Sequence, residues 1–147
     1  MVLYQQMILV ATQNYATATN SFNTAVGSFA GYAITTGEQN TLIGRGAGDA
    51  ITTGGTHTAI GYNALSACNT VSGNTAVGAN ALATETKGSR NVAVGVNALT
   101  AQNFTTSTTA YNTGIGYSAG AAVTTGIKNT IVGALAGDAL TDADNNT

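Results

Sequence analysis

Few residues in this sequence could do chemistry, and their spacing decides what they do. His57 is the only histidine and Cys68 the only cysteine. A zinc site needs three or four convergent ligands, and one histidine among scattered carboxylates offers none. His57 stands where the related segments carry Asn, so it reads as an imidazole replacing an amide hydrogen bond. Cys68 falls at a position held elsewhere by Ile34, Ile51, Val123 and Leu140. It reads as a small buried hydrophobe rather than a nucleophile, and a lone cysteine excludes an intrachain disulfide. Asp49 and Asp138 also share a position, which invites acid–base chemistry. Five repeats separate them, about 24 Å at strand spacing, too far to serve one reaction. Asp138, Asp142 and Asp144 match no calcium-loop spacing and read as a solvated edge. No catalytic residue, cofactor or metal is expected, and the chain is not expected to be an enzyme.

Surface binding is the better prospect. Tyr62 and Tyr117 share position six of their repeats, with Arg45 in the same column. Phe104, Thr105 and Thr106 lie in a four-residue insertion. Aromatic rings beside hydroxyls and amides can stack on a sugar, or pack between subunits. Insertions in solenoids map to loops on one face, often the binding face, but a surface insertion also costs little and needs no role.

A repeat positions all of these residues. Asn23-Thr24-Ala25-Val26-Gly27 returns at 40, His57, 74, 91, 112 and 129, with spacings of 17, 17, 17, 17, 21 and 17. A partial eighth unit begins at Asn146. Position four is always Val or Ile, position five always Gly (Gly27, Gly44, Gly78 among them) and position eight always Ala (Ala30, Ala47, Ala81 among them). A β-branched residue at position four favours a strand and is expected to pack inward. Gly at position five supplies unusual backbone angles or close approach. Ala at position eight fits where only a methyl can be buried. Asn at position one (Asn23, Asn40, Asn74) suits a turn and, stacked once per layer, could form a ladder. Thr35-Thr36-Gly37, Thr52-Thr53-Gly54 and Thr124-Thr125-Gly126 read as turns closing each coil.

Composition agrees. Ala (26), Thr (26), Gly (19) and Asn (15) dominate the 147 residues, and there is no Trp and no Pro. Such small side chains fill only a thin core, which suits a solenoid whose layers pack on their neighbours. No 3.6-residue stripe of large apolar residues supports helices. A net charge of −2 with 7% charged residues gives no footprint for nucleic acid. The leading apolar run, Met7–Ala11, is too short to span a membrane and lacks the charged start of an export signal. Within each unit, positions three and four are both mostly apolar yet point to opposite faces of a strand. A strand apolar on both faces is usually buried on both. One face can line the coil; the other calls for a second copy. Residues 1–22 fall outside the units and are expected to cap the first coil or dock the rod onto a larger particle.

The pattern N-T-A-[VI]-G-x-x-A-[GL], followed by T-T-G-x-x-N, resembles repeats of trimeric bacteriophage tail-fibre and appendage proteins. More distantly, it is similar to the heads of trimeric autotransporter adhesins, whose coils are shorter than 17 residues. The resemblance covers 23–147. It implies an all-β solenoid or β-roll of about seven 17-residue coils, assembled as a homotrimeric fibre. The implied function is a rigid trimeric spacer on the virion surface that also serves host-surface attachment. Its implied partners are two further copies of itself, other virion proteins through residues 1–22 or the C-terminal end, and a host surface glycan; neither nucleic acid nor membrane insertion is implied. An extracellular bacterial adhesin or filament subunit is the alternative. A left-handed β-helix acyltransferase ranks lower, because Val26-Gly27-Ser28-Phe29-Ala30 matches its hexapeptide on only one side of the coil. Ice binding by the Thr-Thr-Gly turns ranks lower too, since units three to five lack them.

Overall fold

The computed structural model describes residues 21–147, which contain strands and turns and no helix. The expected cap or docking segment therefore lies almost wholly outside the described residues. The strands, in chain order, are β1 (Thr24–Val26), β2 (Thr41–Ile43), β3 (Thr58–Ile60), β4 (Thr75–Val77), β5 (Gly88–Ser89), β6 (Val92–Val94), β7 (Thr108–Thr109), β8 (Thr113–Ile115) and β9 (Thr130–Val132). Seven of them form one parallel sheet in the order β1-β2-β3-β4-β6-β8-β9. Each pairs in register with its cognate in the next unit, as Thr41 does with Thr58 and Ile43 with Ile60. The chain is a β-solenoid, and the 17-residue period is its coil. The inserted unit keeps register at a spacing of 21, with Val92 opposite Thr113. It also pairs with unit four in a second, two-stranded parallel sheet, β5 with β7.

Backbone hydrogen bonds join layers well beyond the strands. The N–H of position five donates to the position-four carbonyl of the layer before, as from Gly61 to Ile43 at 2.7 Å. After the strand, two tight turns follow, closed by bonds such as Ala30 N–H to the Gly27 carbonyl and Ile34 N–H to the Gly31 carbonyl. These turns require left-handed backbone at position seven, where Asn63, Asn80 and Asn97 have φ of 51°, 57° and 59°, and at position nine, where Leu65, Leu82 and Leu99 have φ of 54°, 51° and 50°. Position five is stricter. Its glycines have φ between 125° and 137°, a region side chains essentially never adopt. A Cβ on Gly61 would stand 2.6 Å from the carbonyl carbon of Gly78 in the next layer. Conformation and stacking both demand Gly, which is why this column never varies.

The core is one side chain thick. Position eight is fully buried at Ala30, Ala47, Ala64, Ala81, Ala98 and Ala119. Positions three and nine trade volume. Leu42 and Ile131 at position three stand with Gly48 and Gly137 at position nine of their own units and against Gly31 and Gly120 of the layers before, whereas Ala59, Ala76 and Ala93 stand with Leu65, Leu82 and Leu99. A Cβ on Gly31 would lie 2.8 Å from Leu42 Cδ1, so the exchange is steric. One expectation is corrected here. Position three, not position four, faces inward: Ala25, Leu42, Ala59, Ala76, Ala93 and Ile131 are buried, while Val26, Ile43, Ile115 and Val132 are exposed. Both positions are apolar, so alternation in a three-residue strand could not say which faced the core.

Candidate functional site

Position one builds a polar spine through the coil. Each Asn side chain makes two bonds in the regular units. Its carbonyl oxygen accepts the backbone N–H of the next position one, as from Asn40 to Asn23 (2.7 Å) and Asn129 to Asn112 (2.9 Å). Its amide donates across the coil to the carbonyl fourteen residues on, as Asn40 does to Gly54 (3.1 Å) and Asn112 to Gly126 (2.6 Å). The ladder thus runs side chain to backbone. Direct side-chain steps occur at Asn91 to Asn74 (3.2 Å) and Asn146 to Asn129 (2.8 Å).

His57 fits this spine atom for atom. Its Nδ1 accepts the Asn74 N–H at 3.2 Å, in place of an amide oxygen. Its Nε2 lies 2.8 Å from the Val71 carbonyl and donates to it, in place of an amide nitrogen. These bonds fix the neutral tautomer with the proton on Nε2. Burial holds the pKa of His57 below the usual histidine value, against the pull of both bonds. Cys68 Sγ stands 3.7 Å from Nε2, the approach a Cys–His nucleophile would need. The chemistry does not follow. Both side chains are buried, the Nε2 proton is committed to Val71, and burial, reinforced by Glu85, pushes the thiol up to about 12. A reactive cysteine needs the opposite shift and access.

Glu85 and Gln102, which sequence reasoning did not single out, continue the same column. Position twelve runs Ile34, Ile51, Cys68, Glu85, Gln102, Val123, Leu140. The Glu85 side chain is fully buried and every contact to it is a donor. Oε1 accepts the N–H groups of Lys87 (3.0 Å), Gly88 (2.5 Å) and Phe104 (3.3 Å); Oε2 accepts Gln102 Nε2 (2.7 Å). Gln102 Oε1 in turn accepts Asn112 Nδ2 at 2.8 Å. Among the described residues no buried side-chain nitrogen or oxygen lacks a partner. Adding 17 to Cys68 would have found both residues.

The residues proposed for surface binding do not come together. Tyr62 and Tyr117 are exposed, three layers apart in one column, with Ala79 and Val96 between them. Arg45 lies over the Tyr62 ring, 5.5 Å from its centroid. Thr105 and Thr106 are exposed. Phe104 is not: only 6% of it is accessible, because its N–H is drawn in to Glu85 and its ring packs by Gly88. Its place in a binding surface is withdrawn. Asp49 and Asp138 sit in distant layers, and burial raises the Asp49 carboxyl. Asp144 Oδ1 accepts the Ile127 N–H. No group of three His, Cys, Asp or Glu side chains that could hold a metal occurs among the described residues.

A different surface is continuous. Of the twelve large apolar side chains most exposed among the described residues, nine stand in columns four, six and seven. They include Val26, Phe29, Ile43, Val96, Ile115 and Val132. Column four, Val or Ile in every unit, forms one stripe along the length of the rod; columns six and seven widen it at Phe29, Tyr62, Val96, Tyr117 and Leu135 and are polar at Ser28, Arg45, Asn63, Asn80, Asn97 and Ser118. Comparison with protein-family models, with curated proteins and with solved structures finds no match to this chain.

Proposed function

We propose that the chain is a structural fibre segment, which associates along its length with two further copies of itself and serves as a rigid spacer in a virion appendage such as a tail fibre. The apolar stripe carries this reading. A monomeric soluble protein rarely exposes a long contiguous apolar patch, and such patches mark association surfaces. A stripe parallel to the rod axis suits side-by-side packing of copies. In-register packing would place the same columns together at every layer. The trimer and the virion setting come from the resemblance of the repeat, and attachment to a host surface is a further part of that reading. An extracellular bacterial adhesin or filament subunit would use the same rod and the same stripe.

A second reading has one observation in its favour. Position two carries Thr in six of the seven strands of the main sheet, on the same outer face as position four. The regular threonine file missing from the turns is therefore present on the sheet. A monomeric rod using that file against an ordered surface such as ice would need this face uncovered.

Substitution of the stripe separates the two. Ile43→Lys with Ile115→Lys places two charges at outward positions and should turn an assembled rod into a monomer with unchanged circular dichroism. If the unsubstituted chain is already monomeric, the fibre reading fails and ice-shaping assays become the next step.

A further inference from the structure

The middle of the rod departs from the repeat in three ways at once. Units three, four and five lack the Thr-Thr-Gly turn, which otherwise is missing only from the last unit (Thr141-Asp142-Ala143). Units four and five also replace the apolar position-twelve side chain with Glu85 and Gln102. They also carry the second sheet and, beside it, a groove of about 310 Å³, at the low end of small-ligand sites. Thr70 and Ser72 line it from unit three, Ser89 from unit four, and Ser107 and Thr109 from unit five. Arg90 is the one charged residue of the lining, its guanidinium held at the edge of the groove by Tyr111. Its Nη1 donates to Tyr111 Oη at 2.8 Å, with the ring centroid 5.7 Å from the guanidinium carbon. That bond occupies one of five guanidinium N–H donors.

The groove is anchored from beneath. Glu85 holds the N–H groups of Lys87, Gly88 and Phe104, the turns of units four and five that lead into the groove wall. Burying a carboxylate is costly unless donors surround it. An insertion that is merely tolerated requires no such anchor. Charge points the same way: unit four holds two of the chain's four cations, Lys87 and Arg90, and its one carboxylate, Glu85, is buried.

We propose that this groove binds a carboxylate-bearing saccharide. Hydroxyls both donate and accept, as sugar hydroxyls do. A planar carboxylate matches the guanidinium fork. The inference rests on the attachment part of the fibre reading and gives it a ligand class and a site.

Saturation-transfer NMR of the full chain with trigalacturonate, and with neutral maltotriose as control, tests it. Trigalacturonate should bind in preference to maltotriose. Arg90→Asn keeps a residue that tolerates the left-handed backbone at this position (φ 61°). It should weaken trigalacturonate binding about tenfold or more, the worth of a charged hydrogen bond, and erase the preference. Ser107→Ala should also weaken binding, and Arg45→Ala should not. Absence of binding, equal binding of both sugars, or binding indifferent to Arg90→Asn with circular dichroism intact would each overturn the proposal. The mass of the same samples keeps the two ideas apart. An assembled rod that does not bind refutes the groove and spares the fibre. A monomer that binds with the expected Arg90 dependence refutes the fibre and supports the groove.

Discussion

At His57 one side chain does another's work, and the substitution has a pH signature. Burial lowers its pKa in the folded chain, whereas the unfolded chain titrates near 6.5. As pH falls below about 6.5, the unfolded state takes up a proton that the folded state refuses. Stability is therefore full above that pH and declines below it, towards the folded value. His57→Asn restores the repeat residue and both hydrogen bonds. Urea unfolding at pH 7.5 should change little, and the loss of stability between pH 7 and pH 5 should shrink. An unchanged loss would mean that His57 is not its source. Cys68 gives a second test: with its thiol buried and pushed up to about 12, it should resist iodoacetamide at pH 8 and react once the chain is unfolded. The amide-replacing role of His57 was legible in the sequence, because its column was otherwise Asn. Glu85 was less so. A lone Glu in a sequence looks like surface charge, and its partners are mostly backbone N–H groups, which leave no trace in side-chain identity. Only the register places it inside.

At the scale of the coil, the position-five glycine and the Glu85 anchor carry different loads. Gly61→Ala must strain φ 137° and push a methyl into the next layer. It should cost on the order of 3 kcal/mol or more, measured by urea denaturation. Gly73→Asn is the control. Its φ is 80°, and a Cβ there would meet nothing nearer than Arg90 Cγ at 3.6 Å, so about 1 kcal/mol or less is expected. Equal costs would deny that stacking makes position five invariant. Glu85→Ala should strand three backbone donors and cost about 3 kcal/mol. Amide exchange should quicken at Lys87, Gly88 and Phe104 before it quickens in the main sheet. Uniform quickening would show that Glu85 stabilises the whole solenoid rather than this turn. The coil length, the buried Ala column and the need for Gly were visible in the repeat. The facing of position four was not, because positions three and four are both apolar and the strand is too short for alternation to decide. Phe104 was misplaced for a related reason. Its insertion reads as a solvated loop until the buried carboxylate beneath it is seen.

For the whole molecule, one physical fact has two consequences. A thin core of alanine and leucine leaves the β-branched column outside, and on the fibre reading that column is covered along its length. Side-by-side association supplies that cover without any change of fold, and a rod so covered would be stiff at every layer. The repeat made the solenoid legible from the sequence alone. On the fibre reading further copies cover the stripe; the sequence shows the apolar column and not the copies. The mass of the purified chain in solution, measured by light scattering, tests this most directly. The fibre account predicts a stable particle of three chains, which Ile43→Lys with Ile115→Lys reduces to one. A clean monomer across the working concentration range would contradict it.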